Sequence, residues 1–281
     1  MRRSLVFSGG GVNALAHIGA LEVLLPHIPR CNQFVGTSAG ALIAMCLAAG
    51  ASVEFLLEWT RTFDFSSLAD WSVFNLMTSW GLCKGKVLEE TIRALLTQLG
   101  HSPDITFQEL YEKTGNYLGV VFTDLSDHSY QLASPGTTPH ACVALFVRAS
   151  ASVPLFFNPV IHPKTGAFLV DGGIDANFPV ELLENGQLEM AIHLSPRLRR
   201  FPPKTWWQYL TALYNALRYG MVNKVFDAST CFIDVHGHSM LNFWLDEKEK
   251  RVLLELGRQA MYRKLQDRSR KLSIKNAHFI Q

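Results

Sequence analysis

Gly36-Thr37-Ser38-Ala39-Gly40 fits Gly-x-Ser-x-Gly, the nucleophile elbow, in which a serine sits on a strained turn between a strand and a helix. The flanking glycines are needed because a side chain there would collide with the tightly reversing backbone. The context agrees: Phe34-Val35 reads as an apolar strand end, and Ala39 to Ala49 is a run of helix formers closed by Gly50. A serine so placed suits acyl transfer, given a base beside it and donors for the oxyanion. Without those partners, the same residues make a Gly/Ser turn that lets a helix pack closely.

Gly9-Gly10-Gly11, between a strand and a helix, offers bare backbone N–H groups to an anion. One candidate anion is a phosphate, since Gly9-x-Gly11-x-x-Ala14 satisfies the dinucleotide fingerprint. That reading needs an acidic residue at the end of the second strand, where Gln33-Phe34-Val35-Gly36 has none, and no Gly-Lys-Ser/Thr follows. The other candidate is the oxyanion of a tetrahedral acyl intermediate, and with Ser38 one strand away it is the better one. For the base, the chain offers the late histidines His193, His236, His238 and His278, or Asp171. Asp171 ends a strand and is followed by Gly172 and Gly173, which would set its carboxylate at the sheet edge where α/β proteins place their chemistry. A plain turn is the alternative reading of Asp-Gly-Gly.

The elements that must position these residues follow from apolar runs and breakers. Strands are expected at 4–7, 33–36, 117–122, 129–132, 167–170 and 190–194. Helices are expected near 12–25, 39–49, 53–62, 86–99, 141–149, 205–226 and 246–266. This succession predicts an α/β fold: three layers, α/β/α, with a central mostly parallel sheet. No composition break marks a second domain, so residues 1–281 are expected to form a single domain with a catalytic core over 4–183.

With 48% apolar and 18% charged residues, the chain is core-rich, which excludes a disordered polypeptide. The longest apolar run, after Ser38, is about ten residues, too short to span a bilayer. No apolar leader follows Met1-Arg2-Arg3, and Cys31, Cys46, Cys83, Cys142 and Cys231 form no Cys/His cluster. A cytoplasmic protein with reduced thiols and no metal is expected. Residues 1–196 hold 10 Lys/Arg against 17 Asp/Glu, whereas residues 197–281 hold 16 against 7. This basic part, 184–281, is expected to be helical. Its charge is either a solvated helix face or a peripheral contact with anionic membrane; a nucleic-acid partner is not expected.

The glycine loop, the elbow and Asp171-Gly172-Gly173, in this order, resemble the patatin-like phospholipase family. Ala16-His17-Ile18-Gly19-Ala20-Leu21, Thr123-Asp124-Leu125, Ala149-Ser150-Ala151-Ser152-Val153-Pro154 and Asn177-Phe178-Pro179-Val180 agree with it. The resemblance implies a Ser–Asp dyad hydrolase of lipid acyl esters that needs no cofactor, metal or catalytic histidine. Ser38 would be the nucleophile, Asp171 the base and the Gly9–Gly11 backbone the oxyanion hole. One departure stands in the loop: where the family usually has Lys or Arg and then Gly, this chain has Asn13 and Ala14.

Phe63, Phe65, Trp71, Phe74, Leu76, Met77 and Trp80 could cover an acyl pocket. Trp206, Trp207, Tyr209, Leu210, Leu213, Tyr214 and Leu217 repeat at helical spacing, as core or as an interfacial stripe. His17 is expected to be a packed histidine, and Asp124, Asp175 and Asn177 to shape loops. The rival functions are an ordinary Ser-His-Asp esterase and an inactive lipid-binding member of the fold.

Overall fold

The computed structural model describes residues 2–70, 72, 75, 78–183, 186–195, 209, 212, 213, 216, 229–235 and 238–278. In chain order, the strands are β1 (Arg2–Phe7), β2 (Gln33–Thr37), β3 (Gly81–Cys83), β4 (Tyr117–Asp124), β5 (Ser129–Ala133), β6 (Leu155–Phe157), β7 (Val160–Ile161), β8 (Phe168–Asp171), β9 (Gly186–Ser195) and β10 (Thr230–Asp234). The α-helices are α1 (Leu15–Leu24), α2 (Ala39–Ala48), α3 (Val53–Thr62), α4 (Lys86–Gln98), α5 (Phe107–Thr114), α6 (Val143–Ser150) and α7 (Glu247–His278).

The main sheet runs β10-β9-β1-β2-β4-β8-β7, with β5 also on β4. The pairings among β10, β9, β1, β2 and β4 are parallel, and β5, β7 and β8 add antiparallel pairings at the far side. The expected mostly parallel sheet flanked by helices is therefore the fold. Period-two alternation divides the strand side chains. Leu5, Phe7, Phe34, Leu118 and Ile192 join the large core with the helices, while Val6, Val35 and Ala191 form a small cluster against Phe178, Val180 and Leu188.

Helix α1 is buried along its whole length except at Glu22, because α7 lies across it. The two backbones nearly touch. A Cβ on Gly19 would stand 1.9 Å from the Leu254 carbonyl oxygen, and one on Gly257 would stand 1.9 Å from that of Ala16. Arg258 closes the crossing with a 2.7 Å ion pair to Glu22.

The departures from expectation are local. The first helix opens with a 3-10 turn over Gly11–Ala14, and the last runs on to His278. The short strands β3, β6 and β7 carry too little periodicity to have been foreseen, whereas the unforeseen helix α5 does carry a signal, the capping box of Thr106 and Glu109 ahead of Phe107 and Leu110. The C-terminal part is not simply helical: it contributes β10, parallel to β9. Of the helix expected over 205–226, only residues 209, 212, 213 and 216 are described, and Tyr209 and Leu213 are exposed.

Candidate active site

Strand β2 delivers Ser38 to the start of α2 with φ 57° and ψ −130°. This is a left-handed conformation that a side chain adopts only when its surroundings impose it, at a cost of about 1–3 kcal/mol. Packing and hydrogen bonds impose it here. A Cβ on Gly36 would lie 2.3 Å from the Gly40 carbonyl oxygen, and one on Gly40 would lie 2.5 Å from that of Ser8. The Ser38 carbonyl accepts from the Ala41 amide (2.9 Å), and the Ser38 amide donates to Ser150 Oγ (2.8 Å). Ser150 Oγ in turn donates to the Val121 carbonyl, which ties α6, β4 and the elbow together. Ser150 lies in the Ala149–Pro154 stretch, but its spacing alone gave no sign of this contact.

Strand β8 ends on Asp171, which is fully buried. Ser38 Oγ donates to Asp171 Oδ2 at 2.6 Å, and the Gly173 amide donates to Oδ1 at 2.6 Å. The carboxylate is thus oriented by one partner and aimed at the serine by the other. The Asp171 amide donates to the Ser152 carbonyl (2.9 Å), and Ser152 is gripped by Arg148. Arg148, itself buried, also donates to the carbonyls of Gly85 (2.8 Å), Lys84 (3.1 Å) and Asn158 (3.1 Å). Burial lowers its pKa from 12.5 to about 10, which leaves it charged at neutral pH. Sequence reasoning missed Arg148, because all its partners but Ser152 lie outside its own helical turn.

The glycine loop passes beside the elbow: a Cβ on Gly9 would sit 3.0 Å from Ser38 Cβ. One expectation needs correction. The Gly9 amide donates to the Asn177 carbonyl at 3.1 Å and so is not available to an oxyanion. The Gly10 and Gly11 amides have no partner among the described residues, whereas the Val12 amide donates to the Met240 carbonyl at 3.0 Å. His17 bonds through Nε2 to the Ser8 carbonyl (2.9 Å) and packs edge-on against Phe7, as a buried histidine beneath the loop. Desolvation lowers its pKa from 6.5 to about 4, so the ring is neutral. Asn13 Nδ2 donates to the His238 carbonyl at 3.3 Å.

Ser38 opens onto a cavity with some 820 Å³ of space between atoms, part of it open to solvent. Leu15 and Ile18 of α1, Leu42 and Ile43 of α2, Trp59 and Phe65 are among its walls, and Ser38 and Thr91 are its polar side chains. Of the aromatic stretch expected as a cover, Phe65 reaches the cavity and Phe63 stacks on Trp59 (4.6 Å between centroids). Trp80 is exposed, and Trp71, Phe74, Leu76 and Met77 lie outside the described residues. Leu241 and Phe243, between β10 and α7, also line the cavity.

The described late histidines stand elsewhere. His193 lies between Phe178 and Phe232, and no imidazole is hydrogen-bonded to Ser38 among the described residues. His236 and the His278 side chain fall outside them. Asp124 accepts the turn amide of Ser126 (2.8 Å), and Asp175 accepts the Tyr130 amide of β5 (3.1 Å). Among the described residues, no group of three or more His, Cys, Asp or Glu could hold a metal ion, and no helix is long and apolar enough to cross a membrane.

Comparison with known proteins bears on the family and the fold. YqhO of Bacillus subtilis, an uncharacterized protein, is 31% identical across 90% of this chain and 94% of its own length. A probable lipid hydrolase, 463L, of Invertebrate iridescent virus 6 is 26% identical across 64% of this chain and 62% of its own. The crystal structure of VipD from Legionella pneumophila shares the fold, with a TM-score of 0.71 at 17% identity, over 95% of this chain and 67% of that one. The sequence profile described as patatin-like phospholipase matches residues 5–184, from β1 through the elbow to beyond Asp171, and the chain belongs to that family.

Proposed function

We propose that the protein hydrolyses lipid acyl esters through an acyl-enzyme, with Ser38 as nucleophile and Asp171 as its general base. The observation that carries this reading is the 2.6 Å hydrogen bond from Ser38 Oγ to Asp171 Oδ2 at the wall of an apolar cavity. In the first step, Ser38 Oγ attacks the ester carbonyl carbon while its proton passes to Asp171. The carbonyl oxygen becomes an oxyanion, which the Gly10 and Gly11 amides hold; each such donor is worth about 10²–10³ in rate. Collapse breaks the bond to the alcohol, which leaves with the proton from Asp171. Water then attacks the acyl-serine and gives a proton to Asp171. When the second intermediate collapses, that proton returns to Ser38 Oγ and the fatty acid is released.

The cavity supports an acyl chain as the bound group, since apolar walls lose nothing by excluding water from a hydrocarbon. The relative described as a probable lipid hydrolase points the same way. The whole chain acts as one unit in this reading, because Leu241 and Phe243 complete a cavity whose chemistry comes from residues 9–171. Contact with membrane would be peripheral and electrostatic, through Arg263, Arg268, Arg270 and Tyr262, which are exposed on α7. Sedimentation with liposomes should then rise with the anionic lipid fraction and fall with salt.

The decisive assay offers phospholipid, lysophospholipid and triacylglycerol to the wild type, Ser38→Ala and Asp171→Asn. Fatty acid should be released only by the wild type, and a fluorophosphonate should label Ser38. Alanine variants of His193, His236, His238 and His278 that retain hydrolysis separate this reading from a Ser-His-Asp esterase. A wild type that neither labels nor releases fatty acid would instead be a lipid-binding member of the fold.

A further inference from the structure

We infer that residues 238–243 are a strap through which the acyl cavity sets the oxyanion amides, with Asn13 as the positioning residue that joins the two; this rests on the hydrolase reading above. The strap meets the glycine loop at two consecutive loop residues. The Val12 amide donates to the Met240 carbonyl at 3.0 Å, and Asn13 Nδ2 donates to the His238 carbonyl at 3.3 Å. The fit is close enough that a Cβ on Gly11 would stand 2.0 Å from the Met240 carbonyl oxygen. Gly11 has φ +56°, so the direction of the Gly10 and Gly11 amides depends on how this turn is held. Asn13 is buried, and its hydrogen bond to the strap runs to a backbone carbonyl 225 residues away.

The other side of the strap belongs to the cavity. Leu241 and Phe243 line it, and Phe243 stacks on Phe156 with 5.2 Å between centroids. The strap's first residue is tied to the end of the sheet, since the His238 amide donates to the Val235 carbonyl at 3.4 Å, and α7 begins at Glu247 soon after its last. A hydrocarbon chain against Leu241 and Phe243 therefore presses on the same backbone that holds the glycine loop. Binding energy from the remote end of the substrate then orders the donors at the reacting end, and it appears in kcat as well as in KM.

The test measures kcat and KM separately for p-nitrophenyl acetate, butyrate, octanoate and decanoate. In the wild type, kcat should rise with chain length. In Asn13→Ala, kcat on decanoate should fall about tenfold and become independent of chain length, while KM still falls with length because the walls are intact. Asn13→Leu fills nearly the same space without the donor or a charge and should behave like Asn13→Ala, which separates the hydrogen bond from packing. A wild-type kcat indifferent to length, or an Asn13→Ala loss confined to KM, overturns the inference. If the wild type hydrolyses none of these esters, the hydrolase reading fails by itself, and hydrogen exchange with decanoate tests the strap. Decanoate should slow exchange at the Val12 amide and over 238–243 together in the wild type, but only over 238–243 in Asn13→Ala. A Val12 amide that does not respond to decanoate in the wild type also overturns it.

Discussion

The Ser38 amide and the Ser150 hydroxyl are joined by a 2.8 Å hydrogen bond that spans 112 residues of sequence. It ties the elbow backbone to the end of α6 and helps to offset the left-handed conformation at Ser38. Ser150→Ala should lower kcat about tenfold with KM little changed, and should destabilise the fold by about 1–2 kcal/mol through the unpaired amide. Steady-state kinetics and urea unfolding measure the two effects on one preparation.

Below the loop, His17 couples stability to pH. Its folded pKa of about 4 lies below the ordinary 6.5, so between those values the unfolded chain binds more protons than the folded one. The neutral ring's contribution is complete above pH 6.5 and is lost as the pH falls towards 4, by about 3 kcal/mol in all. His17→Gln should flatten the dependence of Tm on pH between 4 and 6.5. A variant whose Tm falls as steeply as that of the wild type in this range would contradict the assignment.

Arg148 makes a different kind of prediction, because its partners are carbonyls and a hydroxyl rather than a carboxylate. Arg148→Ala removes a donor from each of the carbonyls of Lys84, Gly85 and Asn158 and should cost about 3–5 kcal/mol. Arg148→Lys should recover only part of this, since one ammonium cannot reproduce a planar fork of donors. Chemical denaturation of the three proteins should order them wild type, Lys, Ala.

At the crossing of α1 and α7, Gly19→Ala and Gly257→Ala should each lower stability by about 1–3 kcal/mol, because the added methyl meets backbone. The double variant should lose less than the sum, because the first substitution already parts the helices. Thermal melts of the four proteins complete the cycle.

What was legible in the sequence was local. The elbow, the glycine loop and Asp171-Gly172-Gly173 each declare themselves within five residues, because backbone packs too closely for a side chain at Gly36, Gly40 and Gly172 and the turn at Gly11 is left-handed. Their order then suggested the partnership that the 2.6 Å hydrogen bond between Ser38 and Asp171 now supports. His17 was legible as a packed residue from its place on an apolar helix. The commitment of the Gly9 amide to Asn177 was not, since it depends on a loop 168 residues further on. The same holds for Ser150, Arg148 and Asn13, ordinary residue types whose importance comes from carbonyls and amides brought near by the fold. The strands β3 and β6 escaped notice because three residues are too few for a period to show.

The strap also has a consequence for the order in which the protein becomes complete. Synthesis runs from the N-terminus, so the glycine loop, Ser38 and Asp171 leave the ribosome well before residues 238–243. A nascent chain therefore presents Ser38 and Asp171 before Leu241 and Phe243 complete the apolar wall beside Ser38. In the proposed reading, competence waits for residues 238–243, and until they dock against the glycine loop the serine stands beside an unfinished cavity.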